Sequence, residues 1–123
     1  MGIFSVEIQI GDPQGKRFEP AKALVDTGSS YSAFPVEQLR RLGVEPSDRQ
    51  QFLLADGRIV ESAIGETRIK IDGRMRTTVV VFSDEGTQPL IGAVTLEEFG
   101  LAVDPIGQKL MPVPGYRLGR KPL

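Results

Sequence analysis

The stretch Ala23-Leu24-Val25-Asp26-Thr27-Gly28-Ser29 sets an apolar run directly against a carboxylate, two hydroxyls and a glycine. A carboxylate at the end of a buried strand has two readings. It closes the strand and bonds the turn that follows, as Asp commonly does, or it is held at the edge of the core for proton transfer. The rest of the inventory narrows the chemistry. The 123-residue chain contains no His and no Cys, which removes imidazole bases, thiolate nucleophiles, disulfides and zinc–sulfur sites together. General acid–base work then falls to Asp, Glu, Lys or Tyr, and neither a metal nor a cofactor is expected.

The whole chain bounds the function further. Its length suits one domain, and 40% hydrophobic with 25% charged residues describes a globular protein. A formal net charge of −1 gives no electrostatic case for nucleic acid or an anionic membrane. The longest apolar run, Val79 to Phe82, is too short to span a bilayer. Met-Gly-Ile-Phe-Ser-Val lacks the basic start of a signal peptide, and Val6 stands where a myristoylation pattern needs Ser or Thr. A cytoplasmic location is the expectation.

The elements that must position Asp26 read as strands with short helices. Phe4, Val6, Ile8 and Ile10 alternate with polar residues, the period of a half-buried strand. Gly11 to Gly15 then forms a turn, and a hairpin partner runs from about Lys16 to Val25, with Pro20 pointing to an edge or a kink. After Pro35, the residues Val36, Leu39 and Leu42 share a helical face, with Glu37 in the first turn, Arg40 and Arg41 in the last and Gly43 as the cap. Asp56-Gly57 marks a hairpin. Its second arm, Ile59 to Ile71, changes apolar phase near Gly65, which predicts a β-bulge there. A second turn at Asp72-Gly73 leads into Thr77 to Phe82. A polar loop over 84–89, a short strand Leu90-Ile91-Gly92, a helix over Val94 to Phe99 and strands near Leu101 to Val103 and Lys109 to Val113 complete the reading. The helix end Leu39 to Val44 is echoed by Leu96 to Leu101, each preceded by an apolar strand and a Gly-containing loop, which points to a two-fold pseudo-symmetric all-β domain. Outside these units the acidic residues have ordinary explanations. Asp56 and Asp72 are turn residues, Asp104-Pro105 ends a strand, and Glu97-Glu98 is a solvated helix face. Arg117, Arg120 and Lys121 serve solubility.

An apolar pair before Asp26-Thr27-Gly28-Ser29, a Pro and short helix behind it, an Asp-Gly hairpin, and then Leu90-Ile91-Gly92 with a helix behind it together resemble the retropepsin-like aspartic peptidases, the retroviral proteases and their single-domain bacterial relatives. The resemblance covers about residues 3 to 113. It implies an all-β, closed, barrel-like single lobe with one or two short helices over 1–114, and a tail over 115–123 that is loose or lies at a dimer interface. It also implies Asp26 as the catalytic residue, with Thr27, Gly28 and Ser29 supporting the loop. Leu90, Ile91 and Gly92 would form the strand threading beneath it. Leu54, Ala55, Asp56, Gly57 and Arg58 would form a flap over substrate. Retroviral flap tips are Gly-rich; one Gly and two charges here imply a stiffer, more polar tip. Ser29 stands where retroviral enzymes usually carry Ala, and its hydroxyl can bond the ionised carboxylate.

The implied chemistry suits the inventory. Two facing carboxylates share one proton; the charged one activates water, the protonated one polarises the peptide carbonyl, and the roles reverse as the amine leaves. One chain supplies one Asp-Thr-Gly, so the resemblance implies a homodimer with an Asp26/Asp26 dyad hydrolysing a peptide or protein substrate. The alternative from another class is a non-catalytic dimerisation or peptide-binding module on the same fold.

Overall fold

The computed structural model describes residues 4–119. Among them lie nine strands and two six-residue helices. Strands β1 (Ser5–Gly11), β2 (Phe18–Val25), β3 (Ser32–Pro35), β4 (Asp48–Leu53), β5 (Ile59–Ile71), β6 (Arg74–Ser83) and β7 (Leu90–Ile91) form one sheet in the order β1-β2-β7-β3-β6-β5-β4. An added β1–β5 pairing, Gln9↔Lys70 and Ile10↔Ile69, curls this sheet into a ring. Helix α1 (Val36–Arg41) follows β3, and α2 (Ala93–Glu98) follows β7. A separate hairpin of β8 (Leu101–Asp104) and β9 (Lys109–Pro112) comes last, and residues 113–118 carry no regular structure. Arg120 and Lys121 lie outside the described residues. The all-β single lobe with short helices is the architecture expected.

Local chemistry explains the elements. In the first hairpin turn, Asp12 Oδ1 accepts the backbone N–H groups of Lys16 and Arg17 at 2.7 and 2.8 Å. The Arg17 amide, first among these, holds the Asp12 carboxyl below the usual carboxylate range. Pro20 faces Gln9 of β1, on the part of β2 that has no second neighbour, because β7 joins β2 only at Leu24 and Val25. Helix α1 ends with Gly43 at φ 77°, the left-handed conformation that glycine adopts freely. Its Arg41 reaches Glu19 of β2 with a forked pair of bonds at 2.8 and 2.9 Å.

Helix α2 is braced from outside its own sequence. Its last turn holds no basic residue. Arg74 Nη2 and Arg76 Nε of β6 instead donate to the carbonyls of Phe99 and Glu98, satisfying the helix's terminal acceptors and complementing its dipole.

The expected bulge at Gly65 does not form. β5 keeps one uninterrupted antiparallel register with β6 from Ile64↔Val81 to Ile71↔Arg74. The phase change comes from a change of surroundings. Up to Ile64 the strand pairs with β4 and stands out from the core; from Gly65 on, Gly65, Thr67, Ile69 and Ile71 turn inward. Gly65 itself sits where a Cβ would lie 2.7 Å from the Glu45 carbonyl oxygen, so close backbone approach rather than an inserted residue accounts for it.

The core is built from Ile8, Ile10, Ala23, Val25, Phe34, Leu39, Ile69, Val80, Ile91, Leu96 and Phe99, with neighbours. Phe34, fully buried, lies in β3 between β6 and β7. Phe34→Ala is therefore expected to cost about 3–5 kcal/mol through lost burial and the cavity left behind, read as a lower midpoint in urea unfolding followed by circular dichroism. A change under about 1 kcal/mol would mean that β3 is not central to the core.

Candidate active site

Asp26 is fixed from both ends. Strand β7 runs parallel to the end of β2, pairing Leu24↔Leu90 and Val25↔Ile91. The Asp26 N–H donates to the Ile91 carbonyl at 3.0 Å, and the Leu24 N–H to the Pro89 carbonyl at 2.8 Å. The loop then turns on the Ser29 N–H, which donates to the Asp26 carbonyl. Oδ1 of the half-buried carboxylate accepts the Gly28 N–H at 2.9 Å, and Oδ2 the Ser29 hydroxyl at 3.3 Å. The Gly28 bond is an ordinary Asp turn interaction. The anchorage on Ile91 is not local, and it joins two loops 65 residues apart in the chain (26 against 91). Thr27 is exposed beside Asp26.

Helix α2 closes onto the same loop. The N–H groups of Ala93 and Val94, which have no partner inside the helix, donate to the carbonyls of Ser29 and Ser30 at 2.8 and 2.9 Å. This contact demands glycine at position 92. A Cβ there would lie 2.5 Å from the Tyr31 carbonyl oxygen and 2.8 Å from that of Ser29. Behind Gly92 sits a buried hydroxyl network. The Gly92 N–H donates to Ser32 Oγ at 3.1 Å, Ser32 Oγ meets Thr95 Oγ1 at 2.6 Å, and Thr95 Oγ1 meets Thr78 Oγ1 at 2.8 Å. Sequence reasoning passed over these three residues. The signal lay in their phase: Ser32 shares the inward face of β3 with Phe34, Thr78 that of β6 with Val80, and Thr95 is buried beside Leu96.

The hairpin of β4 and β5 stands over a groove of about 450 Å³. Gly28, Ser29 and Tyr31 line it from the loop, Gln50, Phe52 and Leu54 from one arm, and Val60 and Ser62 from the other; Val81 and Leu90 also contribute. Among the described residues no charged side chain lines it. The rings of Tyr31 and Phe52 meet edge to face, centroids 6.0 Å apart. At the tip, the Leu54 N–H donates to the Arg58 carbonyl at 2.8 Å, and Gly57 adopts φ 89°. Asp56 accepts the Arg58 N–H and its Nε at 3.0 and 2.8 Å. The Arg58 amide, and then its guanidinium, hold the Asp56 carboxyl below its usual range. Ala55, Asp56, Gly57 and Arg58 are exposed and do not line the groove, whereas Leu54 does. Tyr31, Phe52 and Val60, which no motif singled out, supply its apolar wall. Among the described residues no three acidic side chains gather closely enough to hold a metal ion.

A carboxylate bonded by two residues that line a groove has counterparts among known proteins. The sequence model of the family described as Aspartyl protease matches residues 6–95, from β1 into α2. The EIAV protease, solved in complex with the inhibitor HBY-793, is 22% identical over 78% of this chain and 86% of its own, with a TM-score of 0.57. The retroviral protease-like domain of Ddi1 from Leishmania major is 20% identical over 91% of this chain and 89% of its own, with a TM-score of 0.58. A retropepsin-like aspartic protease from Rickettsia conorii is 21% identical over 84% and 88%, with a TM-score of 0.53. No functionally curated protein matches the chain. Because the family match takes in Asp26, the strand beneath it and the hairpin over the groove, the chain belongs to the aspartyl protease family and has the fold of the retropepsin-like aspartic peptidases.

Proposed function

We propose that the protein is a homodimeric aspartic endopeptidase that cleaves extended, largely apolar peptide segments. The observation that carries this reading is the fixing of Asp26. Its backbone is anchored on Ile91, and its two carboxylate oxygens are bonded by Gly28 and Ser29, which themselves line the groove. A carboxylate that merely ended a strand would need only the local turn.

Hydrolysis needs two such groups. The position corresponding to a second loop reads Leu90-Ile91-Gly92-Ala93 and carries no acid. A second copy brings a second Asp26 across a two-fold axis. The facing pair holds one proton between them, because two anions at that separation repel. The ionised Asp26 takes a proton from water as it attacks the peptide carbonyl, while the protonated one donates to the carbonyl oxygen. The proton taken from water then passes to the departing amine, and the other Asp26 recovers a proton from the tetrahedral intermediate's hydroxyl, so the pair again holds one. The Gly28 N–H and the Ser29 hydroxyl, one on each oxygen, fix the orientation of the carboxylate. The uncharged walls formed by Tyr31, Phe52, Val60 and Leu90 favour apolar side chains.

Asp26→Asn is expected to lower cleavage of a diverse peptide library by about 10²–10⁴-fold or more, with thermal stability unchanged or raised because the amide relieves repulsion. Mass spectrometry of the digests and a thermal melt check both halves. Cleavage near the wild-type rate would place the chemistry elsewhere.

A shared site also makes activity depend on concentration. Specific activity is expected to fall on dilution below the dimer dissociation constant. Raising the pH removes the shared proton and leaves two facing anions, which weakens both catalysis and association; lowering it again restores them. Sedimentation velocity at about pH 5 and about pH 8, over a wide range of concentration, is the direct measurement. A strict monomer with concentration-independent activity would overturn the shared dyad.

A further inference from the structure

We infer that Thr95 is a positioning residue for Asp26, acting through Ser32 and the peptide plane between Ile91 and Gly92. The Ile91 carbonyl and the Gly92 N–H belong to one rigid, planar unit. On one side its oxygen accepts the Asp26 N–H at 3.0 Å. On the other its N–H donates to Ser32 Oγ at 3.1 Å. The plane cannot rotate to release one bond without straining the other. Its orientation therefore sets where the Asp26 backbone, and with it the carboxylate, stands.

Ser32 alone does not hold the plane. A serine hydroxyl rotates freely unless its own partners fix it. Thr95 Oγ1, at 2.6 Å, is that partner, and Thr78 Oγ1 in β6 anchors Thr95 in turn at 2.8 Å. Each hydroxyl has one proton to give and two lone pairs to accept with, so Thr95 Oγ1 can bond both neighbours at once. All three residues are buried, and no buried side-chain polar atom among the described residues lacks a partner. Such a network is stiff when complete and costly when broken. Thr95 is also the middle of a helix tied at its start to the Ser29 and Ser30 carbonyls and at its end to Arg74 and Arg76. A residue that only filled space there would be replaceable by valine, which has nearly the same shape and no hydroxyl.

The catalytic part of this inference rests on the peptidase reading; the structural part does not. Thr95→Val and Thr95→Ser are compared with the wild type by amide hydrogen exchange, and by steady-state kinetics on a peptide that the wild type cleaves. The valine variant is expected to speed exchange of the Asp26 and Gly92 amides by about tenfold, the scale of one net buried hydrogen bond, with the β1–β2 ladder unaffected. Its kcat falls by a similar factor while KM stays within about twofold, and the serine variant restores both. Should the valine variant not fold, Thr78→Val removes only the outermost bond and is expected to give a smaller acceleration at the same two amides. Exchange at Asp26 and Gly92 unchanged in the valine variant, or hastened equally throughout the β1–β2 ladder, would overturn the inference, as would a serine variant no better than valine. If the wild type cleaves no peptide in the library, the peptidase reading falls and the exchange comparison alone decides the role of Thr95.

Discussion

The site depends on one close approach: strand β7 and the start of α2 pass beneath the Asp26 loop at backbone contact distance. Position 92 cannot carry a side chain without colliding with the Tyr31 and Ser29 carbonyls. Because it carries none, three N–H groups around this crossing find acceptors that local structure could not supply. Asp26 donates to Ile91, Ala93 to Ser29 and Val94 to Ser30. Unsatisfied, each would be a costly group at the edge of the core. Paired, they convert a flexible loop into a fixed platform.

The same crossing orders its surroundings by distance. Next to Asp26 the contacts are charge-assisted or backbone bonds. One layer further in they are the hydroxyls of Ser32, Thr95 and Thr78, and beyond those lies the apolar core of Phe34, Val80 and Leu96. Polarity falls inward without an orphaned side-chain polar atom among the described residues. The groove is built differently. Its walls are uncharged, and the paired charges of Asp56 and Arg58 are spent on shaping the exposed hairpin tip. At an exposed position such a pair adds little stability, so its effect there is on geometry.

Features set by local chemistry were legible in the sequence. The alternation of Val6, Ile8 and Ile10, the Asp-Gly turns, the Gly43 cap and the Asp26-Thr27-Gly28 loop each depend on residues a few positions apart. Gly65 was misread because a change of apolar phase has two causes. An inserted residue shifts the phase, and so does a straight strand leaving one neighbour for another; periodicity alone does not distinguish them. The hydroxyl network was not legible for a different reason. Ser32 and Thr95 are 63 positions apart, and singly each looks like a tolerated small polar residue in an apolar stretch. Tyr31, Phe52 and Val60 belong to no motif, and only the fold sets them around one groove.

Helix α2 has only six residues, no basic residue near its end and two glutamates, Glu97 and Glu98, where its dipole disfavours them. A helix so short does not persist alone in water. What stabilises it is distant in the chain: Arg74 and Arg76 at one end, the Ser29 and Ser30 carbonyls at the other. These are non-local contacts, whose loop-closure entropy must be offset before they stabilise anything. A growing polypeptide thus exposes Asp26 long before the segment that fixes it has been synthesised. The carboxylate acquires its geometry only when the chain through Phe99 is in place, so no shorter piece of the chain holds the site.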